Sequence, residues 1–559
     1  MSITVGYGRK RVYVIILILS CFFLLESCNS GQQKGSGIKL FSSSGFVDKD
    51  AFSSQLQSVF KKWDTSNHKD QSIADYMMHM YQQNQYKPVW VTNDGVRDAA
   101  ATFLKELEDV RWDGLDPEHY HLSGLKKMQA QLHDDKHPDI NTVITFDTSL
   151  TISYLNVARD LLMGAVNPKK ADTLWFQKND TSWDGPHALL SLGSDDKYVS
   201  LNDYRSLIPL YKMFRDEYKR YDSLQKNEQL ISLIDRIQGI KRITHPDSAS
   251  RNIITDVIKA EMPWASSEPN DSVSEFAQMV MTYQDYMNIK VSGRLDSFTI
   301  ARLSAQPAQF ATSLKANMER LRWMPREMGN TYIWVDVPLM ELFFKREGNL
   351  VMHMRVVVGK VSRQTPSLSA DMANIIINPS WGVPPTILKK DVLPGLAKSK
   401  KYLHKKGLVA YDHSGHEIDA SEITATNYKR FVYKQAPGDE NALGYVKFNL
   451  PNPWDIYLHD TPHRDDFVRR NRFLSSGCIR VQQPQEMALY ILSDFEKMKF
   501  DQGKLDSMIQ THKSRWEVLK TKIPVHITYL TAFEDTTGNH VRFVRDIYNR
   551  DSVLISMLN

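Results

Sequence analysis

The segment LHDTPHRDDFVRRNRFLSSGCIRV, residues 458–481, carries the strongest signal in the chain for both fold and chemistry. It predicts a strand that ends at His459 and a turn that ends at Gly477, directly before Cys478. A thiol attacks a carbonyl carbon only as the thiolate, and a neighbouring imidazole can accept its proton near neutral pH. A glycine before the nucleophile permits close backbone approach, so that amide groups can face a developing oxyanion. Cys478 and His459 are therefore a candidate acyl-transfer pair, although such a separation between a cysteine and a histidine is common.

Cysteine is rare in this chain. Cys21 and Cys28 lie near the N-terminus, and Cys478 is alone in the remainder. The body therefore has no partner for an internal disulfide, and a lone thiol in an oxidising compartment is a liability unless it has a function.

The N-terminal residues are typical of an export leader. Three cations at residues 9–11 precede an apolar run at residues 12–25, which is shorter than a transmembrane helix usually requires. The leader resembles that of a bacterial lipoprotein, in which Cys28 would be lipidated and become the new N-terminus. The alternative is an uncleaved signal anchor. Both interpretations predict a protein of the periplasm or cell envelope, held to a membrane through its N-terminus.

The composition excludes several classes of protein. The chain has 559 residues, of which 42% are hydrophobic and 24% charged, so it is neither a small disulfide scaffold, nor wholly disordered, nor a polytopic membrane protein. Lys and Arg number 70 against 65 Asp and Glu, a net charge of +5 without a long basic run. Nucleic acid is therefore not predicted as a partner.

The hydrophobic period changes along the chain. Apolar residues recur three and four apart at 149–166 and 204–221, which predicts helices. Strand-like runs at 332–348 and 350–360 flank a turn, and further apolar runs predict a β-rich C-terminal third. The predicted fold class is α+β and multidomain, with these parts: a leader at 1–28, a linker at 29–47, a helical scaffold at 48–265, a small helical domain at 266–308, a connector at 309–330, a catalytic domain at 331–535 and a C-terminal hairpin or tail at 536–559.

A long segment with few strand signals lies between Pro384 and Gly444. A loop of that length inside a compact domain is usually functional. We expect a lid or capping subdomain at about residues 385–443.

The small helical domain contains two predicted helices joined by a turn at Gly293. The placement of Gln284, Tyr286, Gly293 and Thr299 resembles a degenerate peptidoglycan-binding repeat. The alternative is a plain helical hairpin of the scaffold, and either unit is too small to be stable alone.

The motifs HDTP at residues 459–462 and SSGCIRV at 475–481 resemble the active-site signature of the L,D-transpeptidases, whose catalytic domain is YkuD-like. The likeness extends through INPSWGVPPTI at 377–387 and PGDENALGYVKF at 437–448, and it includes DGLDPEHY at 113–120 in the helical part. It is closest to the large, YcbB-type members. The resemblance implies a scaffold, a small peptidoglycan-binding domain and a β-rich catalytic domain with a capping subdomain.

The resemblance also implies roles for individual residues. Cys478 is the implied nucleophile, and His459 is the implied base that later protonates the leaving amine. Ser476 stands where many smaller relatives carry a histidine. The remaining implied site residues are candidates for the oxyanion hole (Tyr457, Gly477 and the Cys478 amide) or lie near the substrate groove (Asn378, Trp381 and Arg480).

The implied reaction needs no metal or cofactor. Cys478 would attack the carbonyl between the diamino acid at position 3 of a peptidoglycan stem tetrapeptide and its D-Ala, and an amine of a neighbouring stem would resolve the thioester into a 3→3 cross-link. Water as acceptor would make the protein an L,D-carboxypeptidase, and a free D-amino acid would give exchange. A rival hypothesis is that the protein is a non-catalytic scaffold lipoprotein. Relatives are acylated by carbapenems, so acylation of this protein by a carbapenem would distinguish an enzyme from such a scaffold. The implied partners are stem peptides, glycan, and a D,D-carboxypeptidase or glycan synthase.

Overall fold

The computed structural model describes residues 45–61, 73–177, 183–238, 246–264, 273–535 and 538–558. The predicted leader and the lipidation site at Cys28 lie outside the described residues. Among the helices of the described ranges, none has both the length and the apolar character that crossing a membrane requires.

The N-terminal region is helical, as the sequence predicts. Its helices are α1 (Lys49–Lys61), α2 (Ile73–Gln83), α3 (Asp98–Asp109), α4 (Leu122–Asp134), α5 (Ile140–Met163), α6 (Pro168–Ala171), α7 (Gly185–Asp195), α8 (Pro209–Leu224), α9 (Glu228–Gln238) and α10 (Ser248–Glu261). A two-stranded hairpin, β1 (Val91–Thr92) and β2 (Gly95–Val96), interrupts them, and β3 (Trp175–Phe176) leaves the helical region to join a sheet described below.

Helix α5 is the central helix of this region because it is apolar or small on nearly every face and is buried along most of its length. It ends at Gly164, where φ is +90° and a Cβ would lie 2.5 Å from the Trp323 ring. A glycine is therefore required both to end the helix and to admit that ring. Helix α8 begins at Pro209, later than the predicted start at residue 204, because proline favours the first helical position.

The small helical unit contains α11 (Glu275–Tyr286) and α12 (Ser297–Leu303) and leads into α13 (Pro307–Arg322). The buried Gln284 organises its turn, since its Nε2 donates to Thr299 Oγ1 at 2.8 Å and its Oε1 accepts from Gly293 N at 3.0 Å. Its apolar side chains belong to the same core as α8, α9, α10 and α13. The unit therefore packs on its neighbours, as its small size predicts. Peptidoglycan binding by this unit remains a prediction.

The C-terminal region is β-rich, which confirms the predicted α+β class. Its strands are β4 (Thr331–Asp336), β5 (Glu341–Arg346), β6 (Asn349–Gly359), β7 (Ser367–Ile377), β8 (Trp381–Gly382), β9 (Leu408–Tyr411), β10 (Glu417–Ile418), β11 (Val432–Gln435), β12 (Val446–Asn449), β13 (Leu458–His459), β14 (Phe473–Ser475), β15 (Ile479–Val481), β16 (Arg515–Thr528), β17 (Ala532–Glu534) and β18 (Val541–Phe543).

Eight of these strands close into a barrel in the order β4-β5-β6-β15-β13-β12-β7-β16, and β16 pairs again with β4. Strand β3 of the helical region extends the sheet beside β7. The barrel interior is apolar. The predicted run at 332–348 is divided in two, because the buried Asp336 carboxylate accepts a hydrogen bond from Leu339 N at 3.0 Å and holds a turn between β4 and β5.

The segment at residues 385–443, predicted to be a lid or capping subdomain, is folded; we call it the cap, and its role as a lid remains a prediction. It contains α14 (Pro385–Ile387), α15 (Leu393–Lys398) and α16 (Tyr402–Lys405). Its strands pair in the order β10-β9-β11, and β8, which lies just before the segment, pairs with β11. An apolar core of its own lies between them. The sequence pattern missed this sheet because its strands are only two to four residues long.

Helices α17 (Pro484–Tyr490) and α18 (Gln502–Gln510) pack against the barrel, and α19 (Asp551–Leu558) ends the described chain. Strands β17 and β18 form the predicted C-terminal hairpin, which begins before residue 536. Arg320 of α13 pairs with Asp551 of α19 at 2.5 Å, so the C-terminal helix is fixed to the connector helix.

Candidate active site

Strands β12, β13 and β15 place three polar side chains in one row on the outside of the barrel. Lys447 lies opposite His459 in the antiparallel pair, and His459 lies beside Arg480 in the parallel pair. Directly paired residues project from the same face of a sheet. We call Lys447, His459 and Arg480 the active-site row.

Tyr457 and Cys478 lie on the same face as this row. Each is two residues before a member of it, and side chains two residues apart in extended backbone point the same way. Ile479 N, one residue after Cys478, donates to Tyr457 O at 3.1 Å. This backbone hydrogen bond holds the segment at Tyr457 next to the segment at Cys478. The structure therefore brings together four predicted site residues, Tyr457, His459, Cys478 and Arg480.

The Cys478 thiol is partly buried and lies 3.5 Å from the Asp455 carbonyl oxygen. Burial raises the pKa of the thiol, whereas the nearby Tyr457 N–H and hydroxyl and the charge of Lys447 oppose that shift. The resting group is therefore a thiol, and the groups that would stabilise a thiolate already surround it.

His459 is almost fully buried, with 5% of its surface exposed. Its Nδ1 lies 2.5 Å from the Asp460 carbonyl oxygen. Because a carbonyl can only accept, Nδ1 carries the ring proton and Nε2 has a free lone pair. Burial first, and then the charges of Arg480 and Lys447, lower the pKa of His459 to about 3. The imidazole is therefore neutral and able to accept a proton, although no hydrogen bond joins it to Cys478 among the described residues.

The turn before the nucleophile, residues 475–478, has a required glycine, because φ is +126° at Gly477. Ser475 Oγ accepts from Gly477 N at 3.1 Å and donates to Cys478 O at 2.6 Å. The Gly477 N–H is thus already bonded within the turn. The Cys478 N–H has no partner among the described residues, which makes it the stronger oxyanion candidate.

Thr365 supports this turn from behind, and the sequence analysis missed it. Its Oγ1 donates to Gly477 O at 2.7 Å and accepts from Gly359 N at 2.9 Å. Its backbone N–H donates to Tyr548 Oη at 3.3 Å. The C-terminal segment therefore helps to hold the nucleophile in place, through contacts between residues that are far apart in sequence.

The cap subdomain reaches the site from two sides. Trp381, on β8 at the base of the cap, lines the same cleft as Tyr457 and lies close enough to its hydroxyl to lower the pKa of that group. Arg363 donates from Nη1 to Ser476 Oγ at 2.8 Å and from Nη2 to Asp391 Oδ1 at 2.7 Å. Ser476 therefore lies in a contact between the nucleophile turn and the cap; its side chain is exposed and does not face the thiol.

Asn378 does not face the groove. It is buried, and its Nδ2 donates to the carbonyl oxygens of Met508 and Ile509 at 2.9 and 3.0 Å. It therefore fixes the end of α18 to β7. Arg480 is paired with Asp466 at 3.0 Å, which neutralises its charge locally.

A cleft of about 310 Å³ opens next to the thiol. Among its lining residues are Trp381, Lys447, Asn449, Asp455 and Tyr457. Lys447 was missed by the sequence analysis. Its strand is visible as an apolar run, but the pairing that brings it opposite His459 is not encoded locally.

Comparisons with known proteins show which families the chain resembles. The profile of the L,D-transpeptidase catalytic domain, YkuD, matches residues 330–525, and that of a scaffold domain matches residues 75–217. A curated Haemophilus influenzae protein, named "Putative L,D-transpeptidase", is 31% identical over 291 residues, which are 52% of this chain and 57% of the relative. The chain thus spans a little over half the length of that relative.

Two solved structures are distant likenesses. A mutant of an Enterococcus faecium L,D-transpeptidase is 10% identical with a TM-score of 0.19 and covers 37% of this chain and 52% of that chain. An L,D-transpeptidase from Mycobacterium smegmatis is 12% identical with a TM-score of 0.18 and covers 36% of this chain and 58% of that chain. These TM-scores are too low to support an argument of their own.

Proposed function

We propose that this chain, which combines the catalytic domain of the YkuD L,D-transpeptidases with a scaffold domain in an arrangement that fits the YcbB-type members, is a peptidoglycan L,D-transpeptidase. The observation that carries the proposal is the single sheet face shared by the Cys478 thiol, the adjacent Tyr457 and the neutral imidazole of His459. A thiol, a base and donors for developing negative charge are the groups that acyl transfer requires.

The first half-reaction forms a thioester. His459 Nε2 accepts the thiol proton as Cys478 Sγ attacks the carbonyl between stem residue 3 and D-Ala. The Cys478 N–H, together with the Tyr457 donors, stabilises the developing charge. The carbon–nitrogen bond then breaks, and the proton held by His459 passes to the leaving D-Ala amine.

The second half-reaction consumes the thioester. An amine of a neighbouring stem attacks the same carbonyl carbon, the carbon–sulfur bond breaks, and a 3→3 cross-link results. Water competes for the same carbonyl carbon, so exclusion of water decides between cross-linking and hydrolysis. Contacts of Trp381 and Arg363 near the site support a role for the cap subdomain in that exclusion.

We further propose that the protein acts in the cell envelope, held there by a lipid on Cys28 or by an uncleaved anchor. Its substrates would be stem peptides on glycan strands, supplied by a D,D-carboxypeptidase that trims longer stems or made by a glycan synthase. These assignments rest on the sequence resemblance.

The deciding experiment is mass spectrometry of the purified protein with disaccharide tetrapeptide, comparing wild type with Cys478→Ala. We expect D-Ala release, a thioester adduct and a 3→3 dimer in the wild type, and none of these in the variant. D-Ala release without dimer would identify a carboxypeptidase instead. Absence of reaction, with retained binding to peptidoglycan sacculi, would favour a non-catalytic scaffold.

A further inference from the structure

Lys447 is a cation without a counter-ion. It is half-buried, and its Nζ lies 4.0 Å from the centroid of the Tyr457 ring, on the wall of the cleft beside the thiol. Within the described ranges, no carboxylate oxygen lies within 4 Å of Lys447 Nζ. Arg480, in the same row, is by contrast paired with Asp466 at 3.0 Å. One cation of the row is therefore satisfied, and the other faces the cleft.

An unpaired ammonium in a partly closed cleft is costly, because burial disfavours the charged form. That burial lowers the pKa of Lys447, while the nearby Cys478 and Asp455 oppose the shift. The groups that face Lys447 are the Tyr457 ring, His459, Cys478 and, farther off, Asp455. His459 is neutral and the resting thiol is uncharged; Asp455 lines the same cleft but forms no ion pair with this ammonium.

The proposed reaction identifies an anion of suitable chemistry. The leaving group D-Ala is an amine whose adjacent carbon bears a carboxylate. The amine that resolves the thioester has the same unit when it comes from the free amino-acid end of a diamino acid or from a D-amino acid. Both amines occupy the same place relative to the carbonyl carbon, one as it leaves and the other as it attacks.

We propose that Lys447 binds the carboxylate on the carbon next to the reacting amine, in both half-reactions. This assignment rests on the proposed function and adds a specificity-determining residue to it. In the first step the terminal carboxylate of the tetrapeptide pairs with Lys447 while the sulfur–carbon bond forms and the carbon–nitrogen bond breaks. In the second step the acceptor carboxylate takes its place while the new carbon–nitrogen bond forms and the carbon–sulfur bond breaks.

Two consequences follow for substrate choice. A stem with one more residue has its terminal carboxylate one residue farther from the scissile bond, so it should be a poor donor. An amine without an adjacent carboxylate should be a poor acceptor, because it leaves Lys447 unpaired in a closed site. A charge-assisted hydrogen bond of this kind is expected to give a preference of about tenfold or more.

The experiment measures exchange. Wild-type protein is incubated with disaccharide tetrapeptide and an equimolar mixture of D-methionine and D-methioninamide, and the two exchange products are quantified by mass spectrometry. We expect the D-methionine product to exceed the amide product by about tenfold or more. Equal use of the two acceptors by the wild type would overturn the proposal, and this comparison does not depend on any variant.

Variants then assign the preference to Lys447. Lys447→Met should use the two acceptors about equally, and Lys447→Arg should retain most of the preference. Lys212→Met removes an equal charge from an exposed site on the scaffold, where the side chain is 82% exposed, and should behave as wild type. A preference that survives in Lys447→Met would overturn the assignment. If the wild type releases no D-Ala at all, the proposed function itself fails; normal D-Ala release without acceptor preference refutes the role of Lys447 alone.

Discussion

The barrel face that carries Cys478 and the neighbouring cap subdomain are held in place differently. On the barrel, strand pairing fixes His459, and the hydrogen bonds of Ser475 and Thr365 fix the turn before Cys478. The cap has a separate core and reaches the site through side-chain contacts, of which those of Trp381 and Arg363 are the clearest. Under the proposed function, bond-making chemistry would belong to the barrel and control of water to the cap, so we expect the two to be separable by mutation.

The largest effects should come from the barrel face. We expect Cys478→Ala to abolish acylation, and His459→Gln to slow it by about 10²- to 10⁴-fold, the range typical of a lost general base. The measurement is the rate at which a carbapenem adds its mass to the protein. The exposed His463, changed to Gln, is the matched control and should react at the wild-type rate. A His459→Gln protein that is folded and reacts normally would remove the imidazole from the mechanism.

Loss of the cap should produce the next largest effect. That effect falls on the second half-reaction, in which the thioester is consumed. Replacing residues 389–435 by a short Gly-Ser linker exposes the thioester to water, so hydrolysis should rise relative to cross-linking, or both should be lost. The ratio of tetrapeptide-derived tripeptide to 3→3 dimer, measured by chromatography and mass spectrometry, tests this. An unchanged ratio would show that the barrel alone excludes water.

A smaller change should follow from the contact between cap and nucleophile turn. Arg363→Gln removes the ion pair with Asp391 and weakens the bond to Ser476. Because this ion pair is partly exposed, we expect only a few-fold rise in hydrolysis relative to cross-linking, with carbapenem acylation within about twofold of wild type. Arg430→Gln, at an exposed position in the cap, is the control. A strong loss of acylation would mean that Arg363 positions the nucleophile rather than the cap.

Sequence patterns identified more of the barrel face than of the cap. Cys478 and His459 were identifiable because their motifs are local, and the helical and β-rich regions because their hydrophobic periods extend over long runs. The four-stranded sheet of the cap escaped because its strands are too short to show a period. Asn378 was assigned to the groove by resemblance, yet its side chain bonds to the end of α18.

The supporting residues of the site show the same limit. Thr365 and Lys447 each lie beside a residue more than ten positions away in sequence, Gly477 and His459 respectively. Strand register and strand order decide which residues meet in this way, and neither can be read directly from a single sequence. The Gly477 N–H shows the same limit on a smaller scale. Its hydrogen bond to Ser475 Oγ depends on the local conformation of the turn, which the sequence does not specify.

The smallest expected effect is one of pH, and it tests whether burial within the barrel governs the base. An unperturbed histidine, with a pKa near 6.5, would be mostly protonated at pH 5.5 and unable to accept the thiol proton, so acylation would fall about tenfold from its rate at pH 7.5. Since the pKa of His459 is lowered to about 3, the neutral form persists to much lower pH. By linkage, the stability associated with this neutral imidazole is present above pH 6.5 and is lost as the pH falls towards 3. We therefore expect carbapenem acylation rates at pH 5.5 and 7.5 to agree within about twofold in protein that remains folded. A tenfold fall would show that His459 titrates like an exposed histidine, and that water reaches the barrel face even beneath the cap.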